Sequence, residues 1–218
     1  MAGDQAGASR RETVRGRRQV RRVELLDAAM DVIRRHGPQA TMEDLAAAGG
    51  ISKPILYRHF HDRDGLVAAI TECVLAELGV ILAERLGEAT LAGSRSGVRA
   101  TIDSFFEYIE REPELYRFVV QTDNRRGQMT ALVFTQQVAR LVADAVRVGL
   151  TQTGRDAGPA EIWSRAIVGM VETVGTWWVD EASVTVPRPE AVDRLADLIW
   201  WGLADRSPAG HSPVGGVD

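Results

Sequence analysis

The chain has 218 residues, 45% of them apolar and 26% charged, with a formal net charge of −4. That is enough chain to bury a core in one or two domains, and the composition is that of an ordinary soluble protein. The single cysteine, Cys73, excludes an internal disulfide and a cysteine-built zinc cluster. Without a secretory signal or an uncharged apolar run of about 18 residues, the expectation is a soluble, cytoplasmic protein with no membrane partner.

The charge is unevenly placed. Residues 1–70 carry twelve Lys/Arg and nine Asp/Glu, and the rest of the chain carries fourteen and twenty-one. A basic head on an acidic body suits a polyanion partner for the head, although many solvated surfaces are also uneven. Residues 1–16 are rich in Gly, Ala, Ser and Arg without periodicity, which reads as a disordered basic arm. The seven arginines between Arg10 and Arg22 fit a solvated tail and an arm laid on DNA backbone equally well.

From about Arg17 the pattern turns helical. Val20, Val23, Leu26, Ala29, Met30 and Ile33 recur at spacings of three and four, up to a stop at Gly37-Pro38. "TMEDLAAAGG" follows, in which Thr41 and Asp44 form a capping-box pattern and Gly49-Gly50 a stop. Ser52 is placed to cap a second short helix. Pro54 is tolerated there because the first turn does not need its missing N–H. Asp62 caps a long helix carrying Leu66, Val67, Ile70, Val74, Leu78 and Leu82.

Residues 41–60 thus read as helix, glycine turn, helix: a helix-turn-helix, whose second helix enters the major groove N-terminus first. Gly49 and Gly50 can supply the positive φ of the turn, and Leu45, Ala46, Ile51 and Leu56 a small internal core. Ser52, Lys53, Ile55, Arg58 and His59 fall on the outer side. Lys53 is the only lysine among 26 basic residues. A slim ammonium on a flexible stem can reach a guanine edge or a phosphate where a planar guanidinium fork fits less well. Arg58 suits solvent as well as DNA. His59 and His61 point apart on a helix and have no third ligand near, so no metal site is expected.

"TMEDLAAAGGISKPILYRHFHDRDGLVAAI" resembles the DNA-binding domain of TetR-family transcriptional regulators, through Thr41, Ile51-Ser52-Lys53, Leu56-Tyr57-Arg58-His59-Phe60 and Arg63. The likeness covers about residues 18–70. It implies phosphate contact from Thr41, Tyr57, His59 and Arg63, and groove contact from Ser52, Lys53 and neighbours including Pro54 and Arg58. Pro54 departs from the glycine common in the family, which removes a backbone N–H from that position. Phe60 reads as core.

The remainder reads as helices over about 97–111, 113–122, 127–153, 159–180 and 189–204, with no paired strands and a flexible tail at 206–218. In TetR-like proteins this part is a helical ligand-binding and dimerisation domain. The expected architecture is therefore all-α: a three-helix DNA-binding domain over 17–64 joined to an effector-binding and dimerisation domain over 65–205. Phe106, Ile109, Phe118, Met129, Phe134, Met170 and Trp177 suit either a packed core or the wall of a pocket for an apolar molecule. Trp163, Ile167 and Val174 lie on a helix apolar nearly all round, which needs two partners. With Leu198 and Trp201 they form the expected homodimer surface. Glu172 interrupts that apolar stretch; buried, it would favour a cationic or hydrogen-bonding ligand.

The resemblance implies a repressor that binds a palindromic operator in double-stranded DNA as a dimer and is released by a small hydrophobic effector. Part of the body also resembles lipid-metabolism regulators of the family, which adds fatty acyl ligands. No cofactor is expected. Nor is an enzyme: no histidine has Glu three residues before it, and no Walker loop, G-x-S-x-G elbow or dinucleotide fingerprint occurs. The alternative is a helical small-molecule-binding protein or enzyme without DNA-linked switching.

Overall fold

A computed structural model describes residues 2–87, 94–121, 125–180 and 185–204. Among these the fold is entirely helical. The elements are α1 (Ala2–His36), a 3₁₀ turn (Gly37–Gln39), α2 (Met42–Ala48), α3 (Lys53–Phe60), α4 (Arg63–Gly87), α5 (Arg95–Arg111), α6 (Pro113–Val120), α7 (Arg125–Gln152), α8 (Ala160–Asp180) and α9 (Arg188–Ala204). The helices expected from periodicity are all present, and apart from the start of α1 their ends are displaced by no more than a residue or two.

The N-terminus differs from expectation. The chain is helical from Ala2, so the segment read as a disordered arm extends α1 instead. Its Ala, Arg, Glu and Gln residues are good helix formers and it contains no proline to stop them. The buried face of α1 is Leu25, Leu26, Ala29, Val32 and Ile33, whereas Val20 and Val23 are exposed. The expected tail at 206–218 lies outside the described residues.

α1, α2 and α3 form the head, and α4 runs from it into the body. Leu66, Val67, Ile70, Val74, Leu78 and Leu82 of α4 are all buried, each fully buried Leu or Ile contributing about 1.5–3 kcal/mol. By length and composition alone α4 is apolar enough to cross a membrane, yet 56% of that stretch is buried inside the fold. It is the spine of one continuous core, with α5 and α7 laid against it and α8 against α7. Ion pairs between Arg95 and Asp197 (2.5 Å) and between Arg99 and Asp193 (2.7 Å) clasp α9 to α5. The short α6 packs on α1 and the 3₁₀ turn of the head and on α7 and α8 of the body.

Candidate nucleic-acid interface and effector cavity

The head is set by local chemistry. The Asp44 N–H donates to Thr41 Oγ1 (3.2 Å) and the Thr41 N–H to Asp44 Oδ2 (3.1 Å), the reciprocal cap the spacing predicts. The Thr41 hydroxyl also donates to Asp44 Oδ2 at 2.6 Å. Its proton is therefore used inside the fold, and Thr41 serves α2 before it can serve a phosphate. Gly50 takes φ +66°, which reverses the chain so that the Ile51 N–H reaches Ala46 O at 3.1 Å.

α3 hangs on Leu56 and Phe60, both fully buried, with the Arg22 guanidinium 4.9 Å over the Phe60 ring. Ser52 takes the N-cap position in extended conformation, but its hydroxyl makes no capping bond. The cap is made by its carbonyl, which accepts from the Ile55 and Leu56 N–H groups at 2.9 and 3.0 Å. Ser52 is exposed with its side chain turned outward, beside exposed Pro54 and Arg58 and half-buried Lys53. Tyr57 is half-buried against the core, and His59 is half-buried too. Arg63 is exposed at the start of α4. That start is tight: the Gly65 N–H donates to Asp62 Oδ1 at 2.6 Å, and a Cβ on Gly65 would lie 2.0 Å from the Phe60 carbonyl oxygen.

Lys53 has a partner the sequence did not suggest. Its Nζ lies 2.7 Å from Glu43 Oε1 on α2. The hydrogen bond raises the lysine pKa and lowers that of the glutamate, the two directions one pair should give.

In the body, α4, α5, α6, α7 and α8 line a partly open cavity of about 110 Å³. Its wall is almost all hydrocarbon: Leu78, Ile102, Phe105, Val119, Phe134, Val138, Ile167 and Val171 are representative. Two polar side chains face each other across it. Thr135 Oγ1 stands 3.5 and 3.4 Å from the carboxylate oxygens of Glu172, and burial pushes the Glu172 carboxyl above its ordinary pKa. A wider groove between α4 and α7 shares Leu75 and Phe134 with the cavity.

Two family models match the chain: "Bacterial regulatory proteins, tetR family" over residues 25–70 and "Tetracyclin repressor-like, C-terminal domain" over residues 82–214. The chain belongs to the TetR family. It is 30% identical over 199 residues to an uncharacterized HTH-type transcriptional regulator of Mycobacterium tuberculosis, covering 88% of this chain and 81% of that one. It is 27% identical over 203 residues to the HTH-type transcriptional activator FasR of Mycolicibacterium smegmatis, covering 91% and 90%. Among solved structures, FadR of Bacillus subtilis in complex with stearoyl-CoA superposes with a TM-score of 0.63 at 16% identity, over 81% of this chain and 96% of that one. At that identity the likeness is one of fold. The chain is thus a DNA-binding transcriptional regulator, and its relatives are regulators rather than enzymes.

Within this TetR fold the head residues expected at DNA lie on α3, at the start of α2 and at the start of α4, exposed or half-buried, whereas several body residues fall away from the cavity and the outer face expected of them. Of the seven expected on the pocket wall, only Phe134 lines the cavity. Phe106 and Ile109 are fully buried in the core, Phe106 with its ring 5.4 Å from that of Trp178, and Phe118 is core as well. Met170 is half-buried against the same core. Met129 is exposed and lines the outer groove, and Trp177 is exposed. Of the five expected dimer residues, Leu198 and Trp201 are exposed. Ile167 faces the cavity, Val174 packs on the core and Trp163 is half-buried. The exposed stripe of α8 is instead Ile162, Ala166, Gly169, Thr173 and Trp177. A helix apolar on several sides does not declare its outer face, and that ambiguity exchanged Ile167 with Trp177. Leu75, Ile102, Phe105, Tyr116 and Thr135 were missed because nothing in a periodic pattern separates a wall from a core.

Proposed function

We propose that this regulator reads an operator as a homodimer through α3 and loses affinity for it when a small hydrophobic effector fills the α4–α8 cavity. The observation that carries this reading is the position of α6. One side of that short helix supplies Tyr116, Val119 and Val120 to the cavity. Its start is tied to α1, where Arg34 Nε donates to Glu112 Oε2 at 2.9 Å. A molecule that displaces α6 therefore pulls on the head directly, a shorter route than the tilt of α4 expected from the sequence.

Ser52, Lys53, Pro54 and Arg58 are the proposed groove face. Tyr57, His59, Arg63 and the start of α2 at Thr41 are the proposed backbone contacts. Occupation of the operator by the dimer would repress, in the cytoplasm where the DNA is; FasR, named an activator, is a relative of the opposite sign. Fatty acyl ligands are supported by the FadR fold with its stearoyl-CoA. The cavity here is smaller than the engineered one of about 150 Å³ that admits benzene, so a long chain would also have to occupy the α4–α7 groove.

The test is reciprocal binding. Footprinting should reveal two protected half-sites with dyad symmetry, about 34–36 Å or a multiple apart. An effector that weakens operator binding 5- to 150-fold, the usual span of allosteric coupling at about 1–3 kcal/mol, must itself be weakened by operator by the same factor. An effector bound equally well with and without operator makes the protein a binder without a switch.

A further inference from the structure

We propose that Glu172 and Thr135 form a polar anchor inside the cavity that selects an apolar molecule with an amine head over one with a carboxylate head. The proposal rests on the cavity being the effector site and narrows the effector to an amine, in place of the fatty acyl chemistry that the FadR fold suggests. A carboxylate can accept about four hydrogen bonds, and a threonine hydroxyl can donate one. Here that donor stands at 3.4 and 3.5 Å from the two carboxylate oxygens, beyond the 2.5–3.0 Å of a good O–H···O bond. Among the described residues no lysine or arginine lines the cavity. The other titratable group on the wall, Tyr116, is engaged elsewhere, its hydroxyl 3.1 Å from that of Thr176. The half-buried carboxylate is thus partly desolvated among hydrocarbon and under-partnered, an arrangement that costs stability in the empty protein and is characteristic of a binding site.

An ammonium entering the cavity would supply the missing donors and the missing charge, while the aliphatic wall received its hydrocarbon. A carboxylate head would meet a like charge, and an ester or thioester brings no donor. The anchor therefore orients ligands as well as selecting them, with the head toward α7 and α8 and the tail toward α4 and α5.

Three probes of matched length, hexylamine, hexanol and hexanoate, separate the outcomes by calorimetry at about pH 8, where a carboxyl is ionised unless strongly shifted and an alkylamine is charged. Wild type should bind hexylamine about 10- to 100-fold more tightly than hexanoate, the range of a charge-assisted hydrogen bond. Glu172→Gln should bring that ratio close to one while hexanol still binds, which reports that the variant's cavity is intact. Thr135→Lys supplies an internal ammonium and should abolish the amine preference independently. Equal ratios in wild type and both variants, with hexanol still bound, overturn the anchor and leave the cavity as an effector site. If none of the three probes binds wild type, the cavity reading falls and the anchor with it.

Discussion

Arg34 and Glu112 are joined at 2.9 Å across the boundary between head and body, the glutamate side chain only 14% exposed. Close by, the Glu114 carboxylate of α6 lies over Gly37 of the 3₁₀ turn, in the space that a Cβ would take. Glu112→Gln keeps the shape and removes the charge. Because Arg34 is 39% exposed, solvent screens the pair and the loss should be about 1 kcal/mol or less. For a chain of this size that lowers the melting temperature by about 2–4 °C at most. Operator affinity without effector should be unchanged, while the response to an effector should shrink. A variant that melts with wild type and switches normally would remove this pair from the link.

The Glu43–Lys53 pair sets up a competition. In the free protein the ammonium is held by Glu43, and phosphate or a guanine edge must displace that carboxylate. Glu43→Gln should therefore raise affinity for operator and for random duplex by similar factors, since a repelling charge beside the backbone is removed in both. Lys53→Ala should lower affinity. If the contact is to phosphate, the slope of log K against log salt should fall by about 0.9 per half-site; if it is to a base, discrimination at one operator position should relax instead. Gel-shift titrations over a salt series measure both. An unchanged slope and unchanged discrimination in the lysine variant would take Lys53 out of the interface.

The head was legible because its signals are local. Thr41 and Asp44 cap, Gly50 turns, and Leu56 and Phe60 fall at one helical spacing, so identity and phase agree within a short stretch. The partner of Lys53 was not legible, because Glu43 lies ten positions away and on another helix. In the body the helix count and ends followed from periodicity and from Pro113, Gly154 and Pro189. What did not follow was rotation. α8 carries apolar side chains toward the cavity at Ile167, toward the core at Val174 and toward the outside at Ile162, and only packing decides which is which.

Glu172 makes stability fall with rising pH over one window. Burial raises its folded pKa above the ordinary 4.5. Between the unfolded and folded values the native state binds more protons than the unfolded state, so unfolding free energy decreases as pH rises. The contribution is complete below the unfolded pKa and lost once pH has passed the folded one. Glu172→Gln lacks this slope. Urea denaturation across the series should show the variant gaining on wild type from about pH 4.5 upward and then running parallel. Parallel curves throughout would mean that the carboxyl is hydrated in the native state.

Gly175 lets α8 approach α5. An added Cβ would fall 2.5 Å from Cε1 of Phe105 and 3.2 Å from Cδ1 of Ile109. Gly175→Ala gains about 1 kcal/mol of helix propensity and loses about 1–3 kcal/mol to overpacking, so a small net destabilisation is expected. The Phe105 ring lines the cavity, and moving it inward should lower the affinity of any cavity ligand more than the fold is weakened. A crystal structure of the variant with the cavity unaltered would contradict this account.

The surface proposed for the dimer is tested by charge and by size. Leu198 and Trp201 on α9 are 60% and 63% exposed, and Ile162 on α8 is 74% exposed, a cost in apolar area that a second copy would remove. Ala166 and Gly169 between the larger residues would let two α8 helices approach closely. Leu198→Glu or Trp201→Glu should leave the monomer's helical content intact, because neither side chain belongs to the core, and should yield monomers in sedimentation. Operator affinity should fall with them, since two half-sites are then bound separately and the effective concentration of the second head is lost. Gly169→Ala discriminates further. Nothing lies within 4 Å of the added Cβ, so an isolated chain should gain about 1 kcal/mol from helix propensity. If α8 meets its copy there, the same methyl group should weaken the dimer while the monomer is strengthened, and opposite signs in those two measurements would place the interface on this stripe.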